Sequence, residues 1–509
     1  MNQHVEQHAA NGSHDQTGRR DVTRPVGRSN SDDYRITSLA ALARDFEIGR
    51  TTSRALTERM LARIADPDGQ GNRVFIHVDA GRALEMADAA DAMRRAGNVL
   101  SPLHGVPISI KDLFDVAGEV TRAGSSVLRD AAPASTDAEA VARLRRAGAV
   151  LIGRTNMSEF AFSGVGLNPH YGNPLAPYRR AAQTVSGGSS SGAAASVADG
   201  MAAVALGTDT GGSIRIPSAF CELTGFKHTA RRVPSTGAFP LSTSLDSIGP
   251  IGLSVDCCAI VDRVLAGLPA ASATSHASDR YETGTDANSP AIPFGTKPLA
   301  GRRLGVLRNY MFNDADAIVP AAFERALREL EAAGAELVDF TFDALERLPE
   351  INRIGLSSIE SYAHHRPLLD RAAQYDPRVL FRIMKGETAR ASDYLDLLAE
   401  RRRMIEAAAR AFAPFDAVVC PTVPSAPPTV GELANDDATF FRLNFLILRN
   451  PSVINFIDGC ALSLPCNRPG EAPVGLTLAG TGHRDQAILA LGRRVEAALH
   501  DLRGSNPIQ

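Results

Sequence analysis

The chain has 509 residues, of which 44% are hydrophobic, so it is long enough to bury a large core as one α/β domain or two smaller ones. Its formal net charge of −3, without any basic stripe, argues against a nucleic-acid partner, which normally binds a cationic surface. The chain also lacks a run of about 18 uninterrupted apolar residues, so we expect no membrane association.

The six cysteines are scattered through the chain without CxxC spacing. That spacing fits neither a metal framework nor a disulfide framework, so we expect reduced thiols and a cytoplasmic location. Residues 1–33 are polar and contain scattered histidines, which is typical of a disordered tail, and they lack the apolar segment of a secretory signal. We therefore predict one ordered domain over residues 34–505.

The first half of that domain alternates helices with strands. Thr37 or Ser38 can cap a first helix, and residues 51–53 can cap a second. A strand at VFIHVDA, a helix at ALEMADAADAMRRAG, a strand at Val106–Ile110, a helix at DAEAVARLRRAG and a strand at AVLIGRTN follow. This alternation predicts βαβ units and a parallel sheet.

The second half resumes after a low-complexity stretch at residues 268–300, which we interpret as a surface excursion. RRLGVLRNY, IVPAAFERALRELEAAGAEL and ELVDFTF form another strand, helix and strand. Residues 354–412 are mostly helical, and strands at DAVVCPTVP and APVGLTLAG precede a final helix. Residues 435–466 are apolar with mixed periodicity, and no single element is predicted there.

Lys111 stands at the end of the apolar strand Val106–Ile110 and is followed by Asp112. The chain contains only four lysines against many arginines, so a lysine at this place is informative. Burial readily lowers the pKa of an ammonium, whereas a guanidinium stays charged. Lys111 is therefore a candidate neutral base. The alternative is a structural ion pair with Asp112 or another neighbour.

Two turns rich in glycine and serine lie within Gln183–Ser218, separated by an Ala-rich helix and a short apolar strand. Glycine lets the backbone approach a ligand closely and lets several N–H groups converge on one point. The alternative is a pair of flexible linkers. Because the flanking segments are apolar, we expect both turns to pack inside the domain.

The second turn, GTDTGGSIRIPS, contains the candidate nucleophile Ser213. A lysine can activate a serine, and the N–H groups of Thr210, Gly211, Gly212 and Ser213 can face one oxygen as an oxyanion hole. The sequence contains no GxxxxGK phosphate loop, no HExxH zinc helix and no GxSxG turn. A Ser-His-Asp arrangement would need a histidine near the turn, and His170 and His228 remain open for that role.

GVPISIKD, GGSSSG, GTDTGGSIRIPS and SLDSIGP occur in this order. From about Ile36 to about Leu502 the chain resembles the amidase signature family of serine hydrolases. The resemblance implies an α/β fold with a mixed, largely parallel twisted central sheet covered by helices on both faces. It also implies that Ser213 is the nucleophile, Ser189 a bridging serine often preceded by a cis peptide bond, and Lys111 the base.

The resemblance further implies that Asp209 and Arg215 organise the second turn and that the backbone near Ala161 borders the substrate groove. One difference follows Lys227, where this chain has HTARR and many relatives carry Pro-Thr-x-Gly-Arg. Substrate specificity is expected from the loops around Ala161 and Phe239 and from the helices after residue 354.

The implied reaction is hydrolysis of a small-molecule carboxamide to a carboxylic acid and an amine or ammonia, through an acyl-enzyme and without a cofactor. For this, the pKa of the lysine must fall to roughly 7 to 8, so activity should rise toward alkaline pH. The alternative is the glutaminase subunit of a tRNA-dependent amidotransferase, which needs partner subunits. A non-catalytic binding protein is disfavoured because Lys111, Ser189 and Ser213 are all present. A homodimer is possible.

Overall fold

Eleven strands form a single sheet within the part of the chain that the computed structural model describes, residues 38–268 and 297–503. They are β1 (Phe75–His77), β2 (Pro107–Lys111), β3 (Val150–Thr155), β4 (Val204–Asp209), β5 (Thr224–Lys227), β6 (Ser247–Gly252), β7 (Arg303–Leu307), β8 (Glu336–Phe340), β9 (Ala417–Pro421), β10 (Cys460–Pro465) and β11 (Gly475–Gly480). Their spatial order is β1-β3-β2-β4-β6-β5-β10-β11-β9-β7-β8. The predicted tail at residues 1–33 and nearly all of the segment at 268–300 lie outside the described residues.

Parallel pairs flank an antiparallel centre. Strand β2 runs parallel to both β3 and β4, and β7 runs parallel to both β8 and β9. The remaining neighbours, including β4 with β6 and β10 with both β5 and β11, are antiparallel. The sequence-based fold class, a mixed α/β sheet flanked by helices, is confirmed.

The helices of the described residues begin and end close to where the periodicity predicts. The predicted capping residues are found, since Ser38 Oγ accepts from Ala41 N and Thr52 Oγ1 accepts from Ala55 N. The helices are α1 (Leu39–Glu47), α2 (Ser53–Ala65), α3 (Gly71–Val74), α4 (Ala80–Arg95), α5 (Glu139–Arg146), α6 (Ser191–Ala198), α7 (Arg215–Phe220), α8 (Val255–Leu265), α9 (Ile318–Ala332), α10 (Leu348–Ile351), α11 (Leu356–His365), α12 (Pro377–Met384), α13 (Ala391–Phe412), α14 (Val430–Ala434), α15 (Asp437–Phe456), α16 (Asp485–Ala498) and α17 (His500–Arg503). Short 3-10 helices occupy Glu159–Ala161, Arg180–Ala182, Asp343–Arg347 and Arg366–Gln374.

The sheet is buried on both faces because successive side chains of a strand point to opposite sides. In β9, Ala417 and Val419 pack into the core cluster that contains residues of α8, α9 and α16. The alternate residues Val418 and Cys420 pack into the cluster that contains residues of α13 and α15. Such two-sided burial explains why the strands read as continuous apolar runs rather than as alternating patterns.

The segment at 435–466, for which no single element is predicted, contains helix α15 and strand β10. Pro451 lies inside α15 and cannot donate the backbone hydrogen bond of a regular helix. This breaks the helical pattern in the sequence. Within residues 38–268 and 297–503, none of the helices combines the length and apolarity needed to cross a membrane.

Candidate active site

Lys111 is the last residue of β2, and its side chain is completely buried beside β4. Its Nζ donates to Ser189 Oγ at 2.7 Å and to Thr208 Oγ1 at 2.8 Å. Burial lowers the pKa of Lys111 to about 7, although the carboxylates of Asp209 and Asp246 act in the opposite direction. The amine is therefore about half neutral near pH 7.

The alternative of an ion pair between Lys111 and Asp112 is not found. The Asp112 carboxylate instead accepts the Gly124 N–H at 3.1 Å and lies 3.5 Å from the Arg154 guanidinium. Burial raises the pKa of Asp112 to about 6 despite that positive charge. In the described part of the chain, both hydrogen bonds of the Lys111 amine go to hydroxyl groups, which is the arrangement that a proton relay requires.

Ser189 lies in the first glycine- and serine-rich turn, two residues before the start of α6, and is fully buried. The Gly188–Ser189 peptide bond is cis. The Ser189 carbonyl accepts the Ser158 N–H at 3.0 Å. Helix α6 is buried at every position, so both turns pack inside the domain rather than forming linkers.

A buried ion pair holds the second turn. Asp209 Oδ2 accepts from Arg215 Nε and Asp209 Oδ1 accepts from Arg215 Nη2, each at 3.0 Å, and both side chains are inaccessible to solvent. Asp209 also accepts the N–H groups of Gly212 at 2.8 Å and Ile214 at 3.2 Å. Burial opposes ionisation of Asp209, but Arg215 and the hydrogen bonds hold the pKa of this carboxyl below its ordinary value.

The Gly212 position requires glycine. Its φ is +123°, and a Cβ there would lie 2.6 Å from Pro451 Cγ. Its N–H donates to Asp209, so the prediction that this amide serves an oxyanion is corrected, and Gly212 belongs to the internal bracing of the turn. The amides of Thr210, Gly211 and Ser213 have no hydrogen-bond partner among the described residues.

Ser213 joins the two turns, because its carbonyl accepts the N–H of Ser190, the residue after Ser189, at 3.2 Å. Its side chain lines a cavity of about 770 Å³ together with Ala161, Thr210 and Gly211. Among the described residues, the Ser213 hydroxyl makes no hydrogen bond, which leaves it directed to the cavity rather than tied to the scaffold. Hydrogen bonds thus bring together the three chain segments that contain Lys111, Ser189 and Ser213, and of these three residues only Ser213 lines the cavity.

Ala161 and Phe160 both have left-handed backbone conformations, with φ of +60° and +49°. Glu159 supports this strained segment, since its buried carboxylate accepts from Ser125 Oγ at 2.6 Å and from the Asp376 N–H at 2.8 Å. Phe239, expected near the specificity loops, packs on Phe160 with ring centroids 5.0 Å apart and does not line the cavity.

The two histidines that remained open from sequence do not reach Ser213. His170 Nε2 lies 2.9 Å from Glu159 Oε1, and His228 is fully buried with Nδ1 2.7 Å from the Thr229 carbonyl. Neither lines the cavity. A histidine-based arrangement around Ser213 is therefore not supported.

Sequence reasoning assigned no role to Thr208, Asp246 and Asn455, although all three touch the site. Thr208 accepts from the Lys111 amine, and Asn455 Nδ2 donates to Asp209 Oδ1 at 2.9 Å. Asp246 Oδ1 accepts the Thr210 hydroxyl at 2.5 Å, and burial raises the pKa of Asp246 to about 6. The parallel pairing of β2 with β4 was the available signal for Thr208, since neighbouring parallel strands end at the same edge.

Comparisons with known proteins find similar sequences and structures over most of the chain. A family model described as Amidase matches residues 55–489. The chain is 34% identical to 2-amino-5-chloromuconic acid deaminase of Comamonas testosteroni, over 84% of this chain and 89% of that protein. It is 35% identical to a glutamyl-tRNA(Gln) amidotransferase subunit of Roseiflexus sp. (strain RS-1), over 87% and 92%. Native peptide amidase from Stenotrophomonas maltophilia superposes with a TM-score of 0.73 at 28% identity, over 92% of this chain and 97% of that one.

Proposed function

Because this chain belongs to the amidase family and is an amidohydrolase, we propose that it opens a carboxamide C–N bond with Ser213 as the nucleophile. The observation that carries this proposal is the pair formed by Lys111 and Ser189. A fully buried amine with a pKa of about 7 lies 2.7 Å from the hydroxyl of Ser189, and the next residue, Ser190, is hydrogen-bonded to Ser213, which lines the cavity. A general base is most effective when its pKa lies near the working pH.

In the first half of the reaction, the neutral Lys111 amine accepts the Ser189 proton and Ser189 accepts the Ser213 proton. Ser213 Oγ forms a bond to the amide carbon, and the carbonyl oxygen becomes an oxyanion. The amides of Thr210, Gly211 and Ser213 are the donors for this oxyanion.

Collapse of this intermediate breaks the C–N bond. The proton held by Lys111 returns through Ser189 to the leaving nitrogen, which departs as ammonia or an amine and leaves an acyl group on Ser213. Water then attacks the acyl carbon, its proton passes to the same base, and the carboxylic acid leaves as Ser213 recovers its proton. No step requires a cofactor.

The test is turnover of aliphatic, aryl and urea-type amides by the purified chain and by two serine variants. Ser213→Ala should lower kcat by at least about 10³-fold, since removing the nucleophile of a catalytic set costs that much or more. Ser191→Ala is the matched control, because this buried hydroxyl has no hydrogen-bond partner within the described residues. Mass spectrometry should detect an acyl adduct on the wild type that Ser213→Ala lacks. Wild-type turnover in Ser213→Ala would refute the nucleophile assignment.

A second candidate is the glutaminase subunit of a tRNA-dependent amidotransferase, which the likeness to the Roseiflexus protein favours. Such a subunit passes ammonia to a partner and works within a complex. Hydrolysis of simple amides by the purified chain alone favours the free-standing amidase. Glutamine hydrolysis that appears only after partner subunits are added favours the second candidate.

A further inference from the structure

The cavity above Ser213 is strongly basic. Its lining contains one acidic residue, Asp314, and five basic residues, which are Arg353, Arg382, Lys385, Arg442 and Arg449. Five positive charges against one negative charge leave a net of four positive charges on the described lining. The whole chain has a formal net charge of −3, so this excess is local to the cavity rather than a property of the protein surface.

Arg382 is a partly buried member of this set and lies beside Phe162. Its Nη1 donates to the Phe162 carbonyl at 2.6 Å, and its Cζ lies 4.1 Å from the Phe162 ring centroid, next to the Ala161 segment of the cavity. It makes no ion pair in the described part of the chain. Arg378, one turn earlier in α12, differs because its Nε donates to Asp437 at 2.8 Å. Arg378 is therefore neutralised by an ion pair, whereas the positive charge of Arg382 remains available to the cavity.

A second positively charged residue, Lys385, lies close to Arg382. The Phe445 ring centroid lies 5.6 Å from Arg382 Cζ and 5.3 Å from Lys385 Nζ. Burial lowers the pKa of Lys385, and the charge of Arg382 lowers it further. Burial also lowers the pKa of Arg382 to about 10, which leaves it charged at neutral pH. Two like charges against one ring repel each other, and a bound anion would relieve that repulsion.

We propose that the substrate is an amide that also carries a carboxylate and no compensating ammonium group, with the carboxylate bound by Arg382 and Lys385. This inference rests on the proposed function, because it concerns the acyl side of the amide that Ser213 attacks. A guanidinium fits a carboxylate with two parallel hydrogen bonds, and Lys385 adds a point charge. Leu446 and Leu448 supply apolar walls for the carbon chain between the two groups. Arg353 and Arg442, which are exposed, would steer anions toward the opening.

An ammonium group that enters the cavity meets five basic residues and one acid, Asp314, and is therefore repelled by the net positive charge of the lining. The charge of Asp314 acts on Arg449, whose Nη2 also donates to the Met311 carbonyl at 3.0 Å. The cavity therefore favours a simple carboxylate over a zwitterionic amino acid. This distinguishes the proposed substrate from glutamine, which carries both charges.

Three amides of equal chain length test the inference. Pentanamide is neutral, glutaramate adds only the terminal carboxylate, and glutamine adds an ammonium to glutaramate. We expect kcat/KM for glutaramate to exceed that for pentanamide by about 10- to 100-fold, the range that one charge-assisted hydrogen-bond pair supplies. The value of kcat/KM for glutaramate should also exceed that for glutamine. Equal values for glutaramate and pentanamide, or a preference for glutamine, would overturn the proposal.

Three arginine variants test which residues cause the preference for glutaramate over pentanamide. Arg382→Gln should reduce the ratio of glutaramate to pentanamide kcat/KM by about 10- to 100-fold, mainly through KM. Arg442→Gln, at an exposed position that tolerates substitution, should reduce the glutaramate advantage by a smaller factor that disappears at high salt. Arg378→Gln is the matched control on the same helix and should retain the ratio. An equal change in Arg378→Gln and Arg382→Gln would contradict the assignment.

A binding measurement separates this inference from the proposed function. Calorimetry with Ser213→Ala, in which turnover is removed, should show that glutaramate binds more tightly than pentanamide, and that Arg382→Gln in that background abolishes the difference. If the wild type cleaves neither amide but this binding pattern holds, the proposed function fails and the anion site stands. If both amides bind equally, the anion site fails whatever the turnover shows.

Discussion

Raising the pH from 6 to 8 should increase kcat/KM for a neutral amide about tenfold, because the reaction needs the uncharged form of Lys111. With a pKa of about 7, the neutral fraction rises from about one tenth at pH 6 to about nine tenths at pH 8 and then levels off. The pKa of Lys111 is lowered rather than raised because burial disfavours the ammonium form. A lysine with an ordinary pKa of about 10.4 would instead give about a tenfold rise for every pH unit up to pH 9.

The assay is the release of ammonia from a neutral amide such as pentanamide, so that the substrate itself does not titrate. Two buried carboxyl groups titrate in the same pH range, since the pKa values of Asp112 and Asp246 are both raised to about 6. Asp246→Asn removes one of these two groups, so its profile distinguishes the titration of Asp246 from that of Lys111. The charge of Asp246 raises the pKa of Lys111, so its removal should shift the rise to lower pH without abolishing it.

Two outcomes would refute the reasoning. A profile that is flat between pH 6 and 8, or one that still climbs steeply above pH 9, would show that a neutral Lys111 with a pKa near 7 is not the base. Loss of the entire rise in Asp246→Asn would assign the titration to the carboxyl group. Lys227 is the other buried lysine, with its pKa lowered to about 8, but its Nζ donates to the carbonyls of His228 and Gly459 and touches neither serine.

Two further changes test the turn that presents Ser213. Asp209→Asn should lower the free energy of unfolding by about 3 to 5 kcal/mol, measured by urea denaturation, because it leaves the buried Arg215 guanidinium without a counter-charge; a loss below about 1 kcal/mol would contradict the role of the pair. Gly212→Ala should abolish turnover while circular dichroism stays native, because its Cβ would meet Pro451 at 2.6 Å and force the turn to shift; full activity would show that the turn geometry is not critical.

The local part of the site was accessible to sequence reasoning. A lysine at the end of an apolar strand, in a chain with few lysines, made Lys111 a candidate base, and the family resemblance assigned it that role. The glycine- and serine-rich turns containing Ser189 and Ser213 were recognisable because few backbone conformations explain such runs between apolar segments. These signals lie within a few residues of the groups they identify, so a one-dimensional pattern contains them.

The cavity could not be predicted in the same way. Arg382 belongs to α12 and Phe445 to α15. Arg382 reaches the rings of Phe162 and Phe445 only after the chain has folded across a long stretch of sequence. Helix α15 itself was obscured, since Pro451 and the mixed periodicity of its apolar residues hide its helical period. Whether an arginine is paired with an acid depends on tertiary contacts. The amino-acid composition shows only that the net charge of the whole chain is close to zero.

The same tertiary contacts explain how the pKa of a lysine near two carboxyl groups can be lowered. Asp209 and Asp246 both favour the ammonium form of Lys111, and two free carboxylates would hold it charged. Arg215 neutralises Asp209 through two hydrogen bonds of 3.0 Å. Asp246 is buried, bonded to the Thr210 hydroxyl and half protonated near pH 6, so its charge is weakened as the pH falls. Burial therefore outweighs the attraction of the two acids at Lys111, and in the proposed mechanism this leaves a neutral base available to the turn that presents Ser213.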